Sequence, residues 1–244
     1  MYIPLYNVTN YTLLSSLLKI DDLVSYAQNN NINSISITDT NMYGTMEFIK
    51  KCNSKNIKPI IGLTLILNDY KLVLLAKNYE GYKCLLKLST IQNEREVTID
   101  DLKKYNNDII VIIPYDYRNS YKDLSKLYKE LYLGYTNKKE ELEASVITKN
   151  IVFFRENLYL NKKDEYYLPY LYRIRDSKTI TDDTSYITSD KELNITNVNE
   201  LTDNKGLLNT IKIADSCNIE FPKYELLLPL YESNKRKGKR IWFI

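Results

Sequence analysis

The chain has no histidine in 244 residues. Ser–His–Asp and Cys–His nucleophilic catalysis therefore lack their usual base, and no imidazole is available as a metal ligand. Cysteine is also scarce. Cys52, Cys84 and Cys217 are odd in number and lack Cys-x-x-Cys spacing, which argues against a disulfide framework or a zinc knuckle and reads as reduced interior thiols. Six glycines form neither a Gly-x-Gly-x-x-Gly nor a Gly-x-x-x-x-Gly-Lys loop, so the common phosphate cradles are missing. No apolar run reaches the roughly 18 residues that span a bilayer. The start, Met1-Tyr2-Ile3-Pro4-Leu5, has no basic segment of the signal-peptide kind. The expected location is the cytoplasm, with no membrane partner.

Charge of one sign is lacking as well. The balance of 34 basic and 31 acidic residues leaves +3, too near neutral to call for a nucleic-acid partner. Dense charge occurs once, in Lys235-Arg236-Lys237-Gly238-Lys239-Arg240, which reads as a solvated, disordered end more than as a phosphate-binding tail. What is abundant is tyrosine, with 23 residues. These form no recognisable stacking motif for single strands, and Tyr166-Tyr167 reads as the start of a helix. Adjacent acid pairs such as Asp21-Asp22 and Asp100-Asp101 diverge on any regular element and read as helix starts.

Short apolar runs alternate with helical patterns, the mark of β/α units around a mainly parallel sheet. Seven strands are expected, at residues 2–6, 34–38, 59–67, 71–76, 109–113, 130–134 and 151–154. Ile20, Leu23, Val24 and Ala27 make one helical stripe. A second is Tyr43, Met46, Ile49 and Cys52, and a third helix is expected over 199–216 with Leu207, Ile211 and Ala214 on one face. Seven strands in this order favour a distorted α/β barrel of (β/α)7 type.

Several fragments carry a family likeness in the right order. They include Thr38-Asp39 followed by Asn41-Met42-Tyr43-Gly44, Ile57–Gly62, Leu74-Leu75-Ala76-Lys77-Asn78, Arg173-Ile174-Arg175-Asp176-Ser177-Lys178-Thr179 and Ile213–Phe221. Together they resemble the PHP (polymerase and histidinol phosphatase) domain of the bacterial DNA polymerase III alpha subunit, from about Tyr2 to Tyr231. That family gathers His and carboxylate ligands around a metal cluster. Its His-x-His and next polar ligand fall here on Pro4, Tyr6 and Val8, and its Thr-Asp-His on Thr38-Asp39-Thr40. The glutamate after Ile-Ile-Gly falls on Thr64, the strand-leading His on Lys71, and the late Asp-x-His on Glu156-Asn157-Leu158.

Asp39 and Glu156 alone keep a carboxylate at these positions, while Pro, Val and Leu donate nothing to a metal. The expectation is no metal, no cofactor and no catalytic residue. Asp39 is expected to cap a helix over 41–53, and Glu156 to pair with Arg155 or Lys71. Pro4, Tyr6 and Leu158 are expected to fill a collapsed pocket. The resemblance implies residues 1–195 as the barrel, 196–232 as the connection toward a polymerase core, and 233–244 as a basic tail. It implies a structural part in DNA replication, with the polymerase core of the same subunit and replisome proteins as partners and DNA reached only indirectly. The two-metal polymerase carboxylates belong to a region beyond this chain, and the closing Ile241-Trp242-Phe243-Ile244 reads as the end of a truncated or frameshifted piece. The competing readings are a metal-dependent phosphoesterase or 3′–5′ exonuclease, and a free-standing interaction module.

Overall fold

A computed structural model describes residues 2–68, 70–195 and 204–222. The expected tail 233–244, residues 196–203 and 223–232 of the connection, and with them the first residues of the third helix, lie outside the described residues.

The chain runs α1 (Ile20–Asn29), β1 (Ser34–Ile37), α2 (Thr45–Ser54), β2 (Lys58–Leu67), β3 (Tyr70–Ala76) and α3 (Tyr79–Glu94). It continues with α4 (Ile99–Lys104), β4 (Ile109–Ile113), a 3-10 turn (Tyr115–Ser120), α5 (Tyr121–Leu124), β5 (Leu131–Tyr135), α6 (Lys138–Ile147) and β6 (Ile151–Phe153). A second 3-10 turn (Lys162–Tyr167), α7 (Leu168–Arg175) and α8 (Asn204–Ser216) complete it. The strands form one curled sheet in the order β1-β2-β3-β4-β5-β6. β4 and β5 are apolar on both faces and almost wholly buried, as strands enclosed by helices must be. The result is a distorted α/β barrel built on six strands among the described residues.

Two expectations about the sheet are corrected. β3 pairs antiparallel with both β2 and β4, so the sheet is mixed. The cause is connection length. Only two residues separate Leu67 from Tyr70, enough for a hairpin and far too few for a parallel crossover. Asn68 takes the left-handed conformation that such a turn needs, with φ of 52°.

The expected first strand, residues 2–6, is buried but forms no ladder, and a single bridge, Asn7 with Asn157, follows it. Pro4 has no N–H for a ladder. Side chains do the pairing instead. The Asn7 amide donates to the Pro4 carbonyl (3.0 Å) and the Ser36 carbonyl (2.9 Å), and the Ser36 hydroxyl donates to Pro4 (3.1 Å). Backbone bonds then hold both neighbours. Thr38 N–H donates to the Asn7 carbonyl (2.8 Å), Val8 N–H to Asn157 (3.1 Å) and Asn157 N–H to Tyr6 (2.9 Å). This segment therefore ties the end of β1 to the chain just beyond β6.

The helices pack as the apolar pattern dictates, with one revision. α1 buries Ile20, Leu23, Val24 and Ala27. α2 buries Thr45, Phe48, Ile49 and Cys52, spaced i, i+3, i+4 and i+7, while Tyr43 and Met46 face outward. The expected stripe advanced by three each time, which drifts about 60° per step around a helix and cannot hold one face. α8 closes the opposite end of the barrel. Its Thr210 hydroxyl accepts from Ile3 N–H (2.9 Å), its Asn209 amide donates to the Ile151 carbonyl (2.7 Å), and Lys58 Nζ donates to the Ala214 carbonyl (2.7 Å). Leu207 and Ala214 are buried there as expected, and Ile211 is half-buried.

Truncating Asn7 to alanine strands the buried Ser36 carbonyl and takes one acceptor from the buried Asn157 amide, which keeps only the Tyr6 carbonyl (3.2 Å). Leaving such groups unpaired costs about 1–3 kcal/mol each, so urea unfolding of Asn7→Ala is expected to show a loss of roughly 2–4 kcal/mol.

Candidate functional site

The carboxyl ends of the parallel strands open onto a mouth, and most of the sequence-singled positions meet there. Asp39 follows β1, Glu156 follows β6, and Lys71 stands at the start of β3, which the hairpin brings back to the same end. Between them lies a cavity of about 890 Å³, whose lining includes Tyr6, Thr64, Lys71, Glu156, Tyr172 and Arg175. The pocket is thus open, not collapsed. Pro4 and Leu158 are buried, but Leu158 and Tyr6 form part of the cavity wall and do not fill it, and the buried ring of Tyr6 stacks on Phe154 with centroids 4.8 Å apart.

Asp39 does not cap α2. That helix begins after Gly44, which has no side chain to offer. Asp39 is instead folded back on the loop after the first segment. Its carboxylate accepts from Thr9 N–H (2.7 Å), the Thr9 hydroxyl (2.7 Å) and the Thr12 hydroxyl (2.8 Å). Thr12 in turn accepts from Thr40 N–H (3.1 Å). Burial pushes the Asp39 carboxyl above its usual range, and the bonds from Thr9 and Thr12 draw it part of the way back. Its role is to staple the 9–12 loop to the strand end.

Glu156 sits between two ammonium groups. Lys191 Nζ lies 3.0 Å from one oxygen and Lys71 Nζ 3.5 Å from the other. Burial alone would raise its carboxyl, but Lys191 and Lys71, with hydrogen bonds from Lys191 and Tyr6, outweigh it and hold the group below 4.5. Burial, reinforced by Glu156, raises the Tyr6 phenol far above its ordinary value, so it stays a donor. The expected pairing with Lys71 is present. The alternative, Arg155, donates to the Asn194 carbonyl instead (2.6 Å). Lys191 carried no sequence signal: it follows a polar Thr/Asp stretch whose path back to the mouth is set by tertiary contacts, Leu158 N–H to Lys191 (2.8 Å) and Leu193 N–H to Tyr159 (2.8 Å).

The fold family implies a metal cluster at this mouth, and these residues do not fit one. Among the described residues no three of His, Cys, Asp and Glu converge as a ligand set. Asp39 spends its lone pairs on Thr9 and Thr12. Both Glu156 oxygens face cations that would repel an incoming metal ion. Thr64, at the family's glutamate position, donates its hydroxyl to the Thr38 carbonyl (2.5 Å).

The PHP domain family model matches residues 5–164, the stretch that supplies this mouth from the first segment to the turn beyond Glu156. The chain belongs to the PHP-domain family. Among curated relatives, DNA polymerase III subunit alpha of Staphylococcus aureus strain COL is 30% identical over 250 residues, which is 96% of this chain and 23% of that protein. The same subunit of Staphylococcus epidermidis strain ATCC 35984 is 31% identical over 242 residues, 91% of this chain and 22% of that protein. The chain thus spans under a quarter of the length of these relatives. A solved amidohydrolase from Chromobacterium violaceum overlays with a TM-score of 0.38 at 6% identity, over 54% of this chain and 76% of that one, too loosely to carry any argument. No described helix of this PHP domain is long and apolar enough to cross a membrane.

Two measurements test the ion triad. The Glu156 carboxyl lies lower in the folded chain than in the unfolded one, so its contribution is present above about pH 4.5 and is lost as pH falls through the lowered folded value. Glu156→Gln is therefore expected to flatten the fall in stability below about pH 4.5 relative to the wild type, with Asp39 cancelling in the comparison. Lys191 is the nearer and more buried partner. Lys191→Met is expected to cost roughly 1–2 kcal/mol and Lys71→Met under about 1 kcal/mol, read from denaturant midpoints.

Proposed function

We propose that this chain is the N-terminal PHP region of a DNA polymerase III alpha subunit, serving DNA replication as a structural domain without metal-dependent catalysis of its own. The observation that carries this reading is the Lys71–Glu156–Lys191 triad, which fills with ammonium groups the place where the family holds cations. Similarity to the staphylococcal subunits over 96% and 91% of the chain supports the placement in that subunit. The partners are then the polymerase core of the same subunit and replisome proteins, and the location is the cytoplasm. A lysine cannot leave or exchange as a metal can, so the mouth is braced permanently and its lining is free of ligand duty.

Titration calorimetry of the purified chain with Mn²⁺ and Zn²⁺ tests the reading. The expected result is no stoichiometric binding and no release of nucleotide from a 3′-labelled strand. Stoichiometric uptake together with hydrolysis would overturn it in favour of a PHP phosphoesterase or exonuclease. Pull-down with the remaining polymerase polypeptide is expected to recover a complex. Failure to do so, with the chain folded, would point to a free-standing module.

A further inference from the structure

A second concave site lies away from the barrel mouth, on the surface of α7 and the 3-10 turn before it. Leu168 and Tyr172 take that helix into the core. Tyr166, Tyr170 and Arg173, at i, i+4 and i+7, then share the opposite face. Tyr166 is 66% exposed, Tyr167 55% and Tyr170 37%. The rings of Tyr167 and Tyr170 each lie 5.4 Å from that of Tyr166, and the Tyr170 hydroxyl donates to the Tyr166 hydroxyl (2.9 Å). Three large rings left this open in one cluster are unusual on a surface with no use for them.

The cations beside them are the second observation. A shallow cavity of about 470 Å³ is lined by Tyr166 and Tyr170 together with Lys162, Lys163 and Arg173, and by one acid, Glu165. Lys162 is spent on Glu165 (2.5 Å). Lys163 makes no ion pair among the described residues. Arg173 gives one terminal nitrogen to the Thr184 carbonyl (3.2 Å), while its Nε is buried with no partner. The guanidinium lies 5.8 Å from the Tyr186 ring centre and lines the cavity, so its charge favours an anion there. Asp164 is the other acid of the turn, and it is approached by the Asn161 amide (3.5 Å).

We infer that this face binds single-stranded nucleic acid directly, with bases stacked on Tyr166, Tyr167 and Tyr170 and phosphates held by Lys163 and Arg173. Aromatic faces beside cations suit unpaired bases, whatever their sequence. A duplex hides those bases and offers phosphates alone, so single strands are preferred. The near-neutral net charge of the chain does not oppose this, because the cavity lining itself carries three cations against one acid. The site is separate from the Glu156 mouth and does not depend on the metal-free reading of it.

Fluorescence anisotropy with the full chain and an end-labelled thymidine oligonucleotide of about 12 nucleotides, at low salt, tests the inference. Binding is expected, with the duplex form at least about tenfold weaker. Tyr166→Ala with Tyr170→Ala is expected to weaken single-strand binding about tenfold or more, while the corresponding double Phe variant retains it. Lys163→Gln is expected to reduce the salt dependence. The basic run Lys235–Arg240 is the rival source of affinity, so a variant with its five cations changed to glutamine is measured in parallel. That variant is expected to keep both the single-strand preference and the sensitivity to the tyrosines. Absence of binding, equal affinity for duplex, indifference to the alanine pair with the fold intact by circular dichroism, or loss of binding on changing the basic run alone would each overturn the inference.

Discussion

The fold rests on how an open sheet is closed. A curled six-strand sheet ends in two free edges, β1 and β6, and free edges expose unpaired backbone groups. The first residues of the chain lie along both. Because Pro4 cannot donate, the closure depends on the Asn7 side chain, which is wholly buried and touches Pro4, Ser36 and Asn157 at once. One amide substitutes for a stretch of ladder. Five residues of the mouth flank that closure: Thr9, Thr12 and Asp39 on one side of it, Glu156 and Tyr6 on the other.

The charges at the mouth show how a metal-type scaffold persists with different electrostatics. Bare carboxylates in a concave site repel one another unless cations compensate them. In this chain the compensation is covalent: Lys71 arrives on a strand and Lys191 on a distant loop, and both converge on Glu156. Asp39 is satisfied differently, by hydroxyl and amide donors on the loop it holds. The two surviving acids thus reach opposite outcomes, one carboxyl lowered and one raised, from the kind of neighbour each has.

Much of this was legible in the sequence, for physical reasons that can be traced. The run Ile109–Ile113 is a strand end to end, since five β-branched apolar residues leave little else for a buried segment. The α1 stripe was equally plain. Orientation was less so: the gap between β2 and β3 held the hairpin signal, but the alternation pattern favoured parallel units. The stripe through Tyr43 and Met46 misled because it kept a period of three. At the site, Asp39 and Glu156 stood out as carboxylates and Lys71 as a cation in place. Thr9, Thr12 and Lys191 did not, because their roles exist only after distant loops meet. The tyrosines in and just before α7 showed no stacking motif in the sequence because exposure, unlike spacing, is a property of the folded chain.

The reversed direction of β3 gives the mouth an unusual dependence. β1, β2 and β6 supply the mouth from their carboxyl halves and the loops beyond them. Lys71 enters from an amino end, one residue past a turn of two. Sheet pairing has a period of two, so a single inserted residue in that turn would rotate the lysine to the far face of the sheet. Glu156 would then be left with one neutralising neighbour, and the length of a surface turn would have become a determinant of charge balance inside the barrel.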